Sequence, residues 1–276
     1  MIQLPLREIN LFDLTITDIP VSGLIDVITN SVKNDVRRRI YYVNIHGLNI
    51  AYQCPLFRQC LGQGDLVFCD GYGVKIAASL LKESLLHRNT PPDWIDALAD
   101  ACNVDGISLF LLGDEEGVAS ETAEKLMSVH PGLRIVGSHN GFFSKRGKEN
   151  ELVLSKINNV SPEILLVGMG MPLQEFWTNE NHNKLDVKVI ITLGAAFRWY
   201  CGIEKRAPKW VTDNGFEWMA RLSRHPIKLF GRYVIGNPLF FWRVMSTYWF
   251  GRKLPIKCNT ATSLTCSTDC HFKGKD

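Results

Sequence analysis

Asp70 is the residue whose type and setting most directly permit chemistry. It follows the apolar run Leu66-Val-Phe-Cys69 and precedes Gly71-Tyr-Gly73, so its carboxylate belongs at the mouth of a buried strand. A carboxylate there can act as general base toward a hydroxyl nucleophile; an Asp opening a helix can equally act as its N-cap. Other residues fall at equivalent places. Asn44 and His46 end the run from Arg39, and Gly113-Asp114 follows Ile107–Leu112. Gly168-Met-Gly170-Met-Pro-Leu-Gln174 follows Ile164–Val167, and Gly194-Ala-Ala-Phe197 follows Val187–Leu193. Glycine at such turns lets backbone approach a ligand or a helix. Several of them at one edge predict a phosphate-bearing ligand held on N–H groups. There is no Walker Lys-Ser/Thr pair and no full GxGxxG with a following acid, which disfavours an NTPase or a dinucleotide enzyme. The cysteines form no CxxC pair and no Cys/His zinc spacing, and no DxD triplet occurs, so no bound metal is expected.

These side chains need a scaffold. Apolar runs of strand length at 39–45, 66–69, 107–112, 134–136, 164–167 and 187–193 alternate with helical patterns at 73–81, 92–102, 115–129 and 149–158. Runs that are continuously apolar, such as Ile164-Leu-Leu-Val167, imply strands covered on both faces by helices. Strand and helix in repeated alternation predict an α/β fold over residues 1–202, a parallel Rossmann-like sheet with right-handed crossovers. Ligands in such sheets bind at the carboxyl ends of the strands, where Asp70 and the glycine turns fall.

The chain has 276 residues, 46% of them hydrophobic and 21% charged, which excludes a disordered or collagen-like class. No stretch is long and apolar enough to span a bilayer, and the first ten residues lack the pattern of a signal peptide; a cytoplasmic protein is expected. The net charge of +3 hides an asymmetry: residues 203–257 hold 11 Lys/Arg and 3 acids, and the rest of the chain is net acidic. That segment also carries Trp210, Trp218, Trp242 and Trp249. Basic and aromatic residues interleaved fit an anionic membrane interface, a nucleic-acid surface, or a helix pair packed on its own core with a basic outer side. The membrane reading sends Phe240, Phe241, Trp242 and Trp249 into the interface. Residues 258–276 read as a disordered tail.

Several motifs, in order along the chain, resemble the WecG/TagA/CpsF family of bacterial glycosyltransferases. They are Leu66-Val-Phe-Cys-Asp-Gly-Tyr-Gly-Val74, Leu111-Leu-Gly113, Pro131–Gly137, Gly141-Phe-Phe143, Gly168-Met-Gly-Met-Pro-Leu-Gln-Glu-Phe-Trp177 and Lys205-Arg-Ala-Pro-Lys-Trp210, followed by Gly215–Leu222, Pro226 and Arg232-Tyr233. The resemblance covers about residues 10–245. It implies an inverting transfer of a hexose or N-acetylhexosamine, N-acetylmannosamine or glucose foremost, from a UDP-sugar to a polyprenyl-diphosphate-linked sugar in cell-surface polysaccharide synthesis. It places the protein peripherally on the cytoplasmic face of the plasma membrane, with no cofactor and no nucleic acid as partner. By the same resemblance Asp70 is the catalytic aspartate and Arg88, in Arg88-Asn-Thr-Pro-Pro-Asp93, the substrate-orienting arginine. Asn44 and Gln174 are then donor-binding side chains, alongside the turns of Gly71, Gly73, Gly113, Gly168 and Gly170. The basic segment is the family's membrane-contacting appendage. Its Arg206, Arg221, Arg224, Lys228 and Arg232 are candidates for acceptor phosphates or headgroups, since guanidinium suits bidentate phosphate contact. Three positions depart from the family pattern. Tyr42 stands where some members have Thr, Arg198 replaces the aspartate of GAxFD, and Pro91 replaces the glycine of RxTGxD. The alternative class is a non-catalytic nucleotide- or nucleic-acid-binding protein that uses the basic segment.

Overall fold

The computed structural model describes residues 7–250; the expected tail at 258–276 and residues 251–257 lie outside them. Eight strands form one sheet: β1 (Arg7–Leu11), β2 (Leu14–Asp18), β3 (Arg38–Val43), β4 (Leu66–Cys69), β5 (Ser108–Gly113), β6 (Arg134–His139), β7 (Ile164–Gly168) and β8 (Val189–Thr192). Their order across the sheet is β1-β2-β4-β3-β8-β7-β5-β6. Every neighbouring pair is parallel except β1–β2, which is an antiparallel hairpin. The expected α/β sheet is present, with an added hairpin at one edge that sequence reading passes over. Its turn places Phe12 and Asp13 at φ of 56° and 57°, a conformation usually announced by Asn-Gly or Asp-Gly, and Arg7–Leu11 offers no apolar run.

Four strands, β4, β5, β7 and β8, are buried along their whole length, as continuous apolar runs under two helical layers require. One layer packs Ile40, Phe68, Leu109 and Ile191 against Trp94 and Leu98 of the helix Pro91–Asp105. On the other face, Tyr41 and Val67 meet Phe57, while Leu165 and Ile190 meet Trp177.

The chain beyond Gly202 forms helices Lys209–Asp213, Glu217–Arg224 and Pro226–Phe230, a π-helical turn Gly231–Ile235, and the helix Gly236–Phe250. This last helix docks on the helix Ile45–Gln53. Asn49 Nδ2 donates to the Gly236 carbonyl at 2.7 Å, and Arg243 Nη1 donates to Asn49 Oδ1 at 2.6 Å. The Arg243 guanidinium also lies 4.2 Å from the Tyr52 ring centroid. Phe240 and Val244 are fully buried, with Phe240 edge-on to Phe12 of the hairpin turn. Phe240 therefore belongs to the core and not to an interface, and Phe241 is half-buried beside it. The opposite stripe stays open. Ile227, Phe230, Val234, Ile235, Leu239, Trp242 and Trp249 are exposed at helical spacing, and Ile227 is 95% exposed. A helix apolar on both faces has no sequence signal for which face is the core. Among the described residues, no helix is long and apolar enough to cross a membrane.

Candidate active site

Asp70 leaves β4 with its backbone N–H on the Val43 carbonyl of β3 at 2.8 Å. Gly71 then turns at φ 97° into the helix Tyr72–Leu80, a conformation that strains any other residue. The Asp70 side chain caps nothing. It lines a cavity with Asn44, His46, Arg88, Thr90, Glu217 and Arg232. Asn44 does the capping instead. Its Oδ1 accepts from Gly47 N at 3.1 Å, starting the helix Ile45–Gln53, while its Nδ2 faces Asp70 Oδ2 at 3.4 Å. Asn44 thus orients the carboxylate from a position that its own capping bond fixes. Burial lifts the Asp70 carboxyl above its ordinary range; Thr90, Asn44, Arg88 and Arg232 oppose that shift without cancelling it. His46 is held neutral, pushed down to about 3 by burial and by Arg232.

The loop between the helix Tyr72–Leu80 and the helix Pro91–Asp105 carries Arg88 and Thr90. Two anchors set its course. Asp18, at the end of β2, accepts from the backbone N–H groups of Leu86 and His87 at 3.0 and 2.9 Å. Asn89 donates to the Ile19 carbonyl at 2.8 Å and gives its own N–H to Cys69. Arg88 then lies with its guanidinium 4.9 Å from the Tyr72 ring centroid, 3.4 Å from Asp93 Oδ2. Asp93 is shared with Arg206, whose other nitrogen lies 3.5 Å from Glu217 Oε2. An alternating row Arg88–Asp93–Arg206–Glu217 therefore joins this loop and the helix after it to the C-terminal helices.

Gln174 is not a ligand-facing side chain, contrary to expectation. It is fully buried in the first turn of the helix Leu173–Asn181. Its Oε1 accepts from both Gly170 N at 3.1 Å and Gly194 N at 3.0 Å, and its Nε2 donates to Glu175 Oε1 at 2.7 Å. One carbonyl oxygen ties the loop after β7 to the loop after β8. Those two amides are consequently spent inside the protein and do not wait for a phosphate. Glu175, also fully buried, is pushed up to about 8 by burial. Gly113 and Gly168 answer a packing need: a Cβ on Gly113 would fall 2.3 Å from the Gly168 carbonyl oxygen, and one on Gly168 would fall 2.9 Å from that of Gly194. Gly73 lines the cavity but is likewise tight against Ile45.

A second cavity of similar size beside Asp70 reaches Tyr42, Gly170, Gly194 and Trp199. Beyond it opens a large cleft of about 1170 Å³ bounded by Asp114, Phe142, Lys145, Gly168, Arg198, Lys228 and His225. Arg221 and Arg232 line all three spaces. Arg198 does not stand as a free cation in the cleft, since it pairs with Asp114 and Glu115, each at 2.6 Å. Of the remaining basic candidates, Arg206 is spent on Asp93 and Glu217. Arg224 turns away to the Lys205 carbonyl and lines none of the three spaces. Sequence reading missed Glu217 and Thr90 as site residues, and did not assign His46 a role. Thr90 is legible only as part of a resemblance, and Glu217 is one of three acids in a strongly basic segment. Among the described residues, no three His, Cys, Asp or Glu side chains cluster as a metal site.

A cavity ending in a half-buried carboxylate, joined through two guanidiniums to a large cleft at the carboxyl edge of a parallel sheet, is a frame for group transfer. The family model for glycosyl transferases of the WecG/TagA/CpsF family matches residues 9–254. The chain belongs to that family. This WecG/TagA/CpsF glycosyltransferase is similar to an N-acetylglucosaminyldiphosphoundecaprenol N-acetyl-β-D-mannosaminyltransferase of Bacillus spizizenii, 29% identical over 178 residues, or 64% of this chain and 68% of the relative. It is similar to an enzyme of the same name from Staphylococcus aureus strain MW2, 27% identical over 197 residues, 71% of this chain and 75% of the relative. The glycosyltransferase is therefore an enzyme, and the resemblance in its motifs and the match along its length agree.

Proposed function

We propose that the enzyme transfers a sugar from a UDP-sugar to a sugar carried on a polyprenyl diphosphate, with inversion, at an anionic membrane surface. The observation that carries the reading is the place of Arg221 and Arg232, which border both the Asp70 cavity and the large cleft. In the reaction, Asp70 takes the proton of an acceptor hydroxyl as that oxygen attacks the anomeric carbon. The bond from that carbon to the β-phosphate oxygen breaks, and UDP leaves with its electrons. The charge growing on the diphosphate falls between Arg221 and Arg232, whose planar donors suit it. Asn44 keeps the carboxylate aimed, and neutral His46 adds no competing positive charge beside it. The nucleotide half of the donor then fills the large cleft, where Arg198 is neutralised by Asp114. A single displacement inverts the anomeric centre. The relatives' names support N-acetylmannosamine as the sugar moved and diphosphate-linked N-acetylglucosamine as its acceptor. The charge is carried by guanidiniums, so no metal is assigned a step.

The exposed stripe from Ile227 to Trp249 supports the membrane part of the reading, because it flanks the arginines at the cleft mouth and would meet the acceptor's lipid where its diphosphate enters. The test is UDP release by purified enzyme, given UDP-N-acetylmannosamine and UDP-glucose in turn, with a short-prenyl diphosphate N-acetylglucosamine. Acceptor-dependent release from one donor is the expected result. No acceptor-dependent release from any UDP-sugar in a wider panel overturns the reading.

A further inference from the structure

Residues 203–257 contain just three acids, and the fold places one of them, Glu217, inside the catalytic cavity. Glu217 opens the helix Glu217–Arg224, and the turn before it is pressed onto the site: a Cβ on Gly215, at φ 80°, would fall 3.0 Å from Tyr72 Cβ. The carboxylate lines the same two cavities as Asp70, and its side chain is only 18% exposed. Burial lifts its pKa and Asp70 adds to the shift, against Arg206, Arg221 and Arg88. Its one ion-pair partner among the described residues is Arg206 at 3.5 Å through Oε2, longer than the 2.7–2.9 Å of a strong charge-assisted bond. None of the described residues donates a hydrogen bond to Oε1, and the residue borders both cavities.

A carboxylate so placed repels the diphosphates that both substrates carry. What it can hold is a neutral donor, a sugar hydroxyl or amide N–H. We propose that Glu217 is the acceptor-reading side chain: it accepts a hydrogen bond from a non-reacting hydroxyl or amide N–H of the acceptor sugar lying between it and Asp70. It thereby decides which acceptor is taken and which hydroxyl is turned toward Asp70. The inference rests on the function proposed above, in which Asp70 activates the acceptor.

The test is binding of a short-prenyl diphosphate N-acetylglucosamine, and of its singly deoxygenated and de-N-acetylated analogues, followed by calorimetry in the presence of UDP. In the wild type, one of the modifications weakens binding by about 10- to 100-fold, the worth of a hydrogen bond to a charged group. Glu217→Ala weakens binding of the parent acceptor by a similar factor and is indifferent to that modification; Glu217→Gln, which keeps a neutral acceptor atom and the side-chain volume, falls between. UDP affinity changes less than twofold in both variants. Arg206→Gln removes the ion pair while leaving the carboxylate, and keeps the wild-type preference among the analogues. The inference is overturned if the Glu217 variants retain that preference, or if Arg206→Gln abolishes it as fully as Glu217→Ala, since Glu217 would then merely brace Arg206. Failure of the wild type to bind any of these acceptors instead removes the function proposed for the site, a result distinct from either.

Discussion

At the scale of single residues, the candidate site carries a stability cost at Asp70. Burial raises the pKa of Asp70, so the folded state holds its proton to higher pH than the unfolded chain does. Stability then falls as pH rises from the unfolded value of about 3.9 through the folded one. Asp70→Asn removes that penalty: it should raise Tm at pH 7, retain UDP binding, and lower transfer by roughly 10²-fold or more, the scale of a positioned base. Melting curves and UDP release measure both sides, and a variant with near-normal turnover takes Asp70 out of the base role. Glu175 gives a second pH signature with the same sign. Its carboxyl sits at about 8 in the fold against about 4.3 unfolded, so wild-type Tm should decline across that interval and level off above it. In Glu175→Gln the decline should be shallower in a series of melts from pH 5 to pH 9.

At the scale of elements, Gln174 ties two loops and does not meet ligand. Gln174→Ala leaves the buried amides of Gly170 and Gly194 unpaired, at roughly 1–3 kcal/mol each, and Tm moves about 2–4 °C per kcal/mol in a chain of this size. Tm should therefore fall by several degrees, with donor KM rising because the loops that border the cleft lose their tie; a variant with unchanged Tm and a raised KM would return Gln174 to the ligand. The strand ends were legible from the sequence because four strands are apolar throughout, and a parallel sheet offers one edge for chemistry. Asp70 was legible for the same reason. What stayed hidden depends on side chains meeting across long separations. Asn44 and Gln174 carry amides that serve ligand or backbone equally well, and no spacing tells which. Asp18 anchors the Arg88 loop from the end of a hairpin strand that carries no apolar run to announce it. The C-terminal helix carries Arg243, a basic residue among many, and its pairing with Asn49 is what selects the buried face. Arg243→Met should accordingly speed amide exchange across 236–250 while leaving the sheet strands protected; uniform protection in the variant would show the helix held by Phe240 and Val244 alone.

At the scale of the whole molecule, basic groups and exposed aromatics gather on the C-terminal helices beside the mouth of the site. Each basic residue near an anionic surface contributes about 1 kcal/mol at modest salt. The protein should co-sediment with phosphatidylglycerol vesicles, less so at high salt. Replacing Ile227, Trp242 and Trp249 with serine should release it without a loss of Tm, since all three are exposed; equal pelleting of variant and wild type defeats the membrane assignment. Replacing Phe240 should unfold the C-terminal helix instead. The tie made by Gln174 has a consequence of another kind. The loops after β7 and β8 receive their shape from behind, from a fully buried amide and a neutral acid, and not from the side chains they present to the cleft. Cleft-facing positions such as Ala195 and Met171 are thus free to change identity over evolutionary time without altering the backbone that carries them. Under the function proposed above, donor preference can drift in such a protein while its architecture stays still, and a designer seeking a new donor can alter those positions first and leave the buried pair alone.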